Sequence, residues 1–365
     1  CECGGACFQT VARMTCKWVL QLCHSHYAPF ADVARQYAAL FDGSEYKVAT
    51  VYLTGAADAE VVRISASDEV RFMGFESRQV AGLKLGAINA FRRIVAERDY
   101  RFVIAHRAKP IYVGCLGSTL PVIGVHHAFG DYAQWSRRAF VRCFRKRLSL
   151  LGVSDAVRDE MRRRLGWPDA AIETLHNRID VAAMCSGQLP REAAREVLGL
   201  PQDVFVVGNV GRLHPDKDQA TLLRAFARAH ACLPQGSLLV IAGDGPLRAS
   251  LGALALALGV ESRVVFLGNV PQMWRYFAAF DLFSLTSDHE PFGMVLLEAM
   301  AAGVAVVATD CGGAPEVLGD LGGLFSLRDD RALADLIVER AHWSAEECVQ
   351  AARDGRHRLL EFSDE

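Results

Sequence analysis

Two carboxylates, Glu290 and Glu298, frame the segment EPFGMVLLE (290–298). Such spacing by itself usually means a solvated acidic loop followed by an exposed helical glutamate. The flanking residues change the reading. Phe292-Gly293 opens an apolar stretch with the character of a helix, Gly303 ends it, and the β-branched run 304–308 follows as a strand. A helix that starts on glycine leaves its first backbone N–H groups without partners, and an anion can sit there. One carboxylate before that helix and one on its inner face would accept hydrogen bonds from hydroxyls on either side of the anion. An anion flanked by two polyols describes a nucleotide sugar.

A second pair of residues suits the same ligand. NVGRLHPDKD (209–218) follows the apolar strand Val204–Val207, and it places Arg212 and Lys217 in a strand–helix loop before a helix expected over 219–231. Transfer of a glycosyl group leaves a nucleoside diphosphate with growing negative charge. Two fixed cations stabilise that charge more in the transition state than in the ground state, as catalysis requires. The plain alternative is one surface arginine and one surface lysine.

Two more segments join these. LVIAGDGP (239–246) and VVFLGNVP (264–271) each carry an apolar strand into a glycine-containing turn. Together the four ordered segments resemble the retaining glycosyltransferases of family 4, closely over 204–325 and in outline over the first half. The resemblance implies an α/β chain of GT-B type, with two Rossmann-like, doubly wound parallel-sheet domains facing across a cleft. It implies donor-diphosphate contacts from Arg212 and Lys217, a sugar contact from Glu290 and a ribose contact from Glu298. The base would lie by the backbone of Asn269 and Val270, with Gly243, Asp244, Phe292, Gly293, Met294 and Val295 completing the donor site. In open α/β sheets ligands bind at the carboxyl edge of the strands, where all four segments end. The implied reaction is retaining and metal-independent, with the leaving phosphate helping to deprotonate the acceptor. No D-x-D motif stands where a metal would bridge the diphosphate; DLFSLTSD (281–288) has the wrong shape for one.

A chain of 365 residues, 51% hydrophobic, suits two domains with a core each. Strand and helix patterns alternate almost throughout, which argues for parallel sheets covered on both faces. The pattern predicts strands near 18–23, 48–53, 101–105, 122–127 and 148–152, and helices near 29–41, 78–97, 132–146 and 154–165. The expected domains are 14–185 for the acceptor and 186–345 for the nucleotide sugar. A terminal helix, 346–365, would pack back on the first domain, and 180–192 is the expected linker. LHNRID (175–180) resembles the family's PNGID turn, with Arg178 where glycine is usual and Asn177 able to adopt a left-handed turn conformation.

The first domain should hold the acceptor. PVIGVHHAFGD (121–131) resembles the family segment whose strand delivers a histidine to the cleft, and spacing from Pro121 favours His127 over His126 as the catalytic one. Where the family has a glycine-rich loop after its first strand, this chain has CHSHYAPFADV (23–33), so His24, His26 and Tyr27 become acceptor or cleft candidates, and His126 joins them. A capped turn with Pro29 early in the helix explains the same residues as well.

Net charge is −2, unevenly divided: basic residues exceed acidic ones by seven through residue 190, and acidic residues exceed basic ones by nine beyond it. RRAFVRCFRKR (137–147) is a basic helix with Phe140 and Phe144 on another face. It could rest on an anionic membrane or hold a phosphorylated acceptor, or simply be a solvated face over a core. The acidic second half opposes nucleic-acid binding. The eleven cysteines include no C-x-x-C pair, and Cys1, Cys3 and Cys7 precede Met14, taken as the natural start after a 13-residue extension. Scattered thiols and no long apolar run imply a cytoplasmic protein, with the membrane's inner face as the place where a glycolipid acceptor would be met. The expected partners are a nucleotide sugar and a glycan or glycolipid, with no metal and no cofactor; a UDP-sugar hexosyl transfer in envelope or lipopolysaccharide synthesis is the favoured reading. Rivals are a sugar-nucleotide epimerase of the same fold, a non-catalytic binding relative, and a dinucleotide oxidoreductase, whose GxGxxG turn the first strand lacks.

Overall fold

The structure is a computed structural model that describes residues 17–26 and 28–364. Tyr27 and the first sixteen residues, with Cys1, Cys3, Cys7 and Met14, lie outside the described residues. The described strands form two sheets. The first contains β1 (Lys17–Cys23), β2 (Tyr46–Thr54), β3 (Glu69–Phe75), β4 (Tyr100–His106), β5 (Val122–His126), β6 (Leu148–Gly152) and β7 (Ile172–Thr174), in the order β3-β2-β1-β4-β5-β6-β7. The second contains β8 (Val206–Val210), β9 (Leu238–Ala242), β10 (Val264–Gly268), β11 (Leu282–Leu285), β12 (Ala305–Thr309) and β13 (Leu324–Phe325), in the order β10-β9-β8-β11-β12-β13. Pairing is parallel, as in β1 with β2 and β8 with β9. Each sheet therefore has one point where successive strands depart to opposite sides: between β1 and β4, and between β8 and β11. The expected GT-B class, two parallel α/β sheets, is the architecture observed.

The chain divides into two compact units, 1–124 with 146–148 and 125–145 with 149–365. In the first, β2 buries its last seven residues without alternation, the signature of a parallel strand covered on both faces. In the second, β9 (LLVIA) is buried throughout. Val207, Leu239, Ile241 and Leu282 from three adjacent strands pack with Leu222, Phe226 and Ile337 from the helices Gln219–Ala229 and Asp330–Ala341. Asn209 is the polar exception on β8; its side-chain amide donates to Ser284 O at 2.8 Å and ties β8 to β11.

Residues 180–192, the expected linker, carry regular structure. Val181–Gly187 is a helix capped by Asp180, whose carboxylate accepts from Ala183 N, and Leu189 N donates to Arg275 O at 2.8 Å. Gly187 lies against the Trp274 ring. A good N-cap and an alanine pair are enough for two turns once a partner covers them. The terminal helix Ala345–Leu359 packs on the helix Met294–Ala301 and on β12, and Ile179 bridges to Ser363.

A buried imidazole makes part of this stability pH-dependent. His106 ends β4, is 1% exposed and meets Tyr37 edge-on at 4.7 Å. Burial pushes its pKa from 6.5 down to about 3. Between those values the unfolded chain binds a proton that the folded chain refuses, so its contribution is complete above pH 6.5 and is lost as pH falls toward 3. The slope is about 1.4 kcal/mol per pH unit. Urea unfolding should therefore show about 2 kcal/mol more loss between pH 6.5 and 5 for the natural protein than for His106→Gln. Equal losses would remove His106 from the account.

Candidate active site

The second sheet brings the four sequence segments to one edge. Each follows a strand: Gly211–Arg212 after β8, Gly243–Asp244 after β9, Asn269–Val270 after β10, and 286–293 after β11. Backbone bonds stitch the first three together, Gly211 N to Ala242 O at 2.9 Å, Leu213 N to Asp244 O at 3.0 Å and Gly243 N to Gly268 O at 2.7 Å. At Gly243, with φ 137°, a Cβ would stand 1.9 Å from Gly211 O, so only glycine lets these two turns meet. Between them opens a pocket of about 400 Å³ lined by Gly211, Arg212, Gly243, Asp244, Asn269 and Val270, with Met273 beside them.

Lys217 and Glu290 meet across the β8/β11 switch point. Lys217 Nζ lies 2.8 Å from Glu290 Oε2, and Ser287 Oγ donates to the same oxygen at 3.0 Å. The backbone holds both partners: Thr286 Oγ1 donates to Lys217 O at 2.8 Å, and Asp288 N donates to Asp216 O at 3.0 Å. Gly313 N donates to Glu290 O at 2.8 Å. A Cβ on Gly312 would lie 2.0 Å from that same carbonyl, which explains the glycine pair after Cys311. Glu290 is 8% exposed; a carboxylate so buried needs its cation. Arg212 is the opposite case, its side chain 71% exposed, with Nη2 3.1 Å from Asp216 Oδ2. The other Asp216 oxygen meets His214 Nδ1 at 2.7 Å. Asp216, Thr286 and Ser287 hold the cations and Glu290 in place, and the sequence reading missed them.

Gly293 is the left-handed N-cap of the helix Met294–Ala301, and no side chain caps it. Its first amides keep the polarity an anion favours. Met294, Val295 and Glu298 are half-buried on this helix. The Phe292 ring is turned into the fold. It is 2% exposed and packs against His176 and Phe362 at 5.7 and 5.5 Å, so only the Phe292 backbone is left to face a ligand.

In the first half, His126 is corrected from an acceptor candidate to a structural residue. It is fully buried, with Nδ1 2.7 Å from Asp131 Oδ2 and Nε2 2.9 Å from the Tyr132 hydroxyl. His127 stands one residue beyond β5 and is half-buried. His24 keeps its carbonyl on Thr54, which donates from N at 3.0 Å and from Oγ1 at 2.8 Å. The His26 ring lies edge-on to Tyr52 and Phe72 at 6.0 and 5.5 Å and covers Gly55. The basic run is largely tied down as well. Arg137 pairs with Asp131 at 2.9 Å, Arg138 donates to the carbonyls of Tyr132 and Ala133, and Arg147 donates to Leu120 O at 2.7 Å. Arg145, Lys146 and the 75%-exposed Trp135 remain at the surface. No helix among the described residues is long and apolar enough to cross a membrane.

Among the described residues one trio brings metal-ligand atoms together: Asp155, His176 and Glu316 lie within 4.8 Å of one another. Their bonds describe a helix cap. Glu316 accepts from Asp155 N at 2.6 Å and Ala156 N at 2.8 Å, the first amides of the helix Asp155–Leu165, and His176 Nε2 lies 3.0 Å from the same carboxylate.

The comparisons agree with this geometry. Residues 190–356 match the family described as Glycosyl transferases group 1, and residues 30–183 match Glycosyltransferase Family 4. The chain is 32% identical over 174 residues to an N-acetyl-alpha-D-glucosaminyl L-malate synthase from Bacillus anthracis, covering 47% of this chain and 45% of that protein. It is 38% identical over 178 residues to a D-inositol 3-phosphate glycosyltransferase from Mycolicibacterium smegmatis, covering 46% of this chain and 39% of that one. The aligned part thus spans less than half the length of these curated relatives. Among solved structures, Anabaena HepE in complex with UDP and glucose superposes with a TM-score of 0.76 at 22% identity, covering 95% of each chain. Two adjoining family matches that together span most of the sequence, on this fold, place the chain in glycosyltransferase family 4.

Proposed function

We propose that the protein is a retaining hexosyltransferase that takes its sugar from a nucleoside diphosphate donor, a UDP-sugar first, and passes it to a hydroxyl of a glycan or glycolipid. The Lys217–Glu290 pair at the switch point, beside the pocket lined by Arg212, carries this reading. A diphosphate over Lys217 and Arg212 would place the sugar toward Glu290, the ribose toward Glu298 and the base by Asn269 and Val270. The bond from the anomeric carbon to the leaving phosphate breaks, a bond to the acceptor oxygen forms on the same face, and the acceptor proton passes to the phosphate. Protein cations carry the developing charge. Anabaena HepE, which shares this fold, holds UDP and glucose in its crystal structure, and that supports a uridine donor. The names of the two relatives place small acidic acceptors, malate and an inositol phosphate, within the same family.

The test is a panel of nucleotide sugars, each assayed with and without acceptor extract in excess EDTA. Acceptor-dependent release of UDP that persists in the chelator is the expected result. Loss of turnover in EDTA, restored by added Mg²⁺ or Mn²⁺, would make the reaction metal-dependent. A changed nucleotide sugar formed without acceptor would make the protein an epimerase.

A further inference from the structure

A cavity in the second unit lies at the opposite edge of its sheet from the donor site. Its volume is about 650 Å³, and Val304 and Ala305, where β12 begins, form part of its wall. The donor segments instead follow the carboxyl ends of β8, β9, β10 and β11. Ligand pockets typically measure about 300–1,000 Å³ and combine apolar walls with a few polar groups. This one has both. Met300 and Val304 supply apolar surface, with Trp343 beside them. Gln350, Asp354 and His357 line it from positions i, i+4 and i+7 of the helix Ala345–Leu359, which share one helix face.

Two features mark this cavity as built for a ligand. Arg340 lines it with a side chain that is 10% exposed. The guanidinium stacks on the Trp343 ring at 4.1 Å, and Nη1 pairs with Glu339. Its Nε is buried and has no partner among the described residues. A buried charged donor left unbonded costs stability that a bound acceptor restores. Gly355 is the second feature. It lies inside a 15-residue helix, where glycine is less favourable than alanine. A Cβ there would meet Met300 at 3.6 Å, an ordinary contact, so packing does not demand glycine. The missing Cβ leaves the cavity open.

Charge narrows the class of ligand. The lining carboxylates are Asp320, Glu347, Asp354 and Glu361, and the lining guanidiniums are Arg340 and Arg358. Arg358 is taken by Glu361 and by the carbonyls of Glu316 and Val317, and Glu347 is taken by Ser344. A free anion would meet Asp320 and Asp354, and a free cation would meet Arg340. Hydroxyl groups both donate and accept, so a polyol can satisfy Arg340 Nε and a carboxylate side by side. Asp354 accepts from the Gln350 amide at 2.8 Å, which leaves the Gln350 carbonyl and the other Asp354 oxygen for hydroxyls. The C–H face of a sugar ring suits the apolar wall.

We infer that this cavity is a second, non-catalytic carbohydrate site, which holds a neutral sugar residue of a glycan through Arg340, Gln350 and Asp354. It shares no lining residue with the donor pocket and stands independently of the donor assignment. A glycan held there keeps its other residues at a raised local concentration near the protein.

The full chain would be titrated with glucose, galactose, N-acetylglucosamine, lactose and cellobiose, by calorimetry and by tryptophan emission, with UDP titrated in parallel. At least one sugar should bind and change the emission, and the change should vanish in Trp343→Phe. Gln350 and Asp354 are exposed, so their substitution spares the core. Asp354→Ala and Gln350→Ala should each weaken the sugar ~10-fold or more, as loss of a charged hydrogen bond does, with UDP affinity and thermal midpoint unchanged. Glycine, inorganic phosphate and spermidine serve as zwitterion, anion and cation probes. If one of these binds in place of the sugars and is lost in Asp354→Ala, the carbohydrate class is wrong. Sugar binding that ignores Asp354 and Gln350 but is lost in Glu290→Gln would put the sugar in the donor site and overturn the proposal. Absence of binding by every sugar would overturn it too. Failure of UDP to bind, with sugar binding intact, would count against the donor reading and leave this site standing.

Discussion

Arg212→Ala should lower turnover at least ~100-fold while the protein keeps its stability, and Lys217→Ala should lower turnover by a similar factor and destabilise the fold as well. The shared part comes from charge: removing one preorganised contact to a developing anion typically has that effect on kcat. The difference comes from burial. The Arg212 side chain is 71% exposed and its ion pair with Asp216 lies at the surface, where such pairs add little to stability. Lys217 is the cation of Glu290, which is 8% exposed, and without it the carboxylate keeps, among the described residues, the Ser287 hydroxyl. Steady-state kinetics with the true donor and acceptor, paired with urea unfolding, separates the two. Near-normal kcat in Arg212→Ala would remove that residue from the diphosphate site.

How much of this could be read from the chain depends on the range of each interaction. The motif residues of the second half were legible because a buried parallel strand is a continuous apolar run and a glycine turn marks its carboxyl end, as at Val240–Gly243 and Phe266–Gly268. The helix Asp155–Leu165 was legible for local reasons, a Ser154 cap and a left-handed Gly166. The helix Ala108–Gly117 escaped because Pro110, Gly114 and Gly117 are poor helix formers, and packing overrides them. The run read as one helix over 78–97 starts only at Leu85, after Lys84 adopts a left-handed conformation that no residue type announces. Side chains that position the site were hidden for a different reason. Thr286 and Lys217, or Glu316 and the amides of Asp155 and Ala156, are brought together by topology alone. Spacing from Pro121 separated His126 from His127 but could not show that Asp131 and Tyr132 occupy both nitrogens of His126.

The two glutamates should respond in opposite ways to a nucleoside diphosphate, which carries the ribose and lacks the sugar. Glu298 sits on the helix Met294–Ala301, where the ribose is proposed to lie, and contacts there do not change during reaction. Binding that is equal in ground and transition states alters KM, so Glu298→Gln should raise the donor KM and weaken the free diphosphate by ~1.5–3 kcal/mol, one charged hydrogen bond. Glu290 precedes that helix and is proposed to face the sugar hydroxyls, whose bonds tighten as the ring flattens toward an oxocarbenium ion. Glu290→Gln should therefore mainly lower kcat and blur the choice among donor sugars. Its effect on the diphosphate alone follows from the ion pair. The Lys217 ammonium is 2.8 Å from the Glu290 carboxylate, which competes with the phosphates for that charge. Replacing the carboxylate by an amide leaves the lysine to the phosphates, so the diphosphate should bind Glu290→Gln as tightly as the natural protein or more tightly. Calorimetry with UDP decides between the assignments. Weaker UDP binding in Glu290→Gln than in Glu298→Gln would mean that the donor lies in the site the other way round, with its ribose at Glu290.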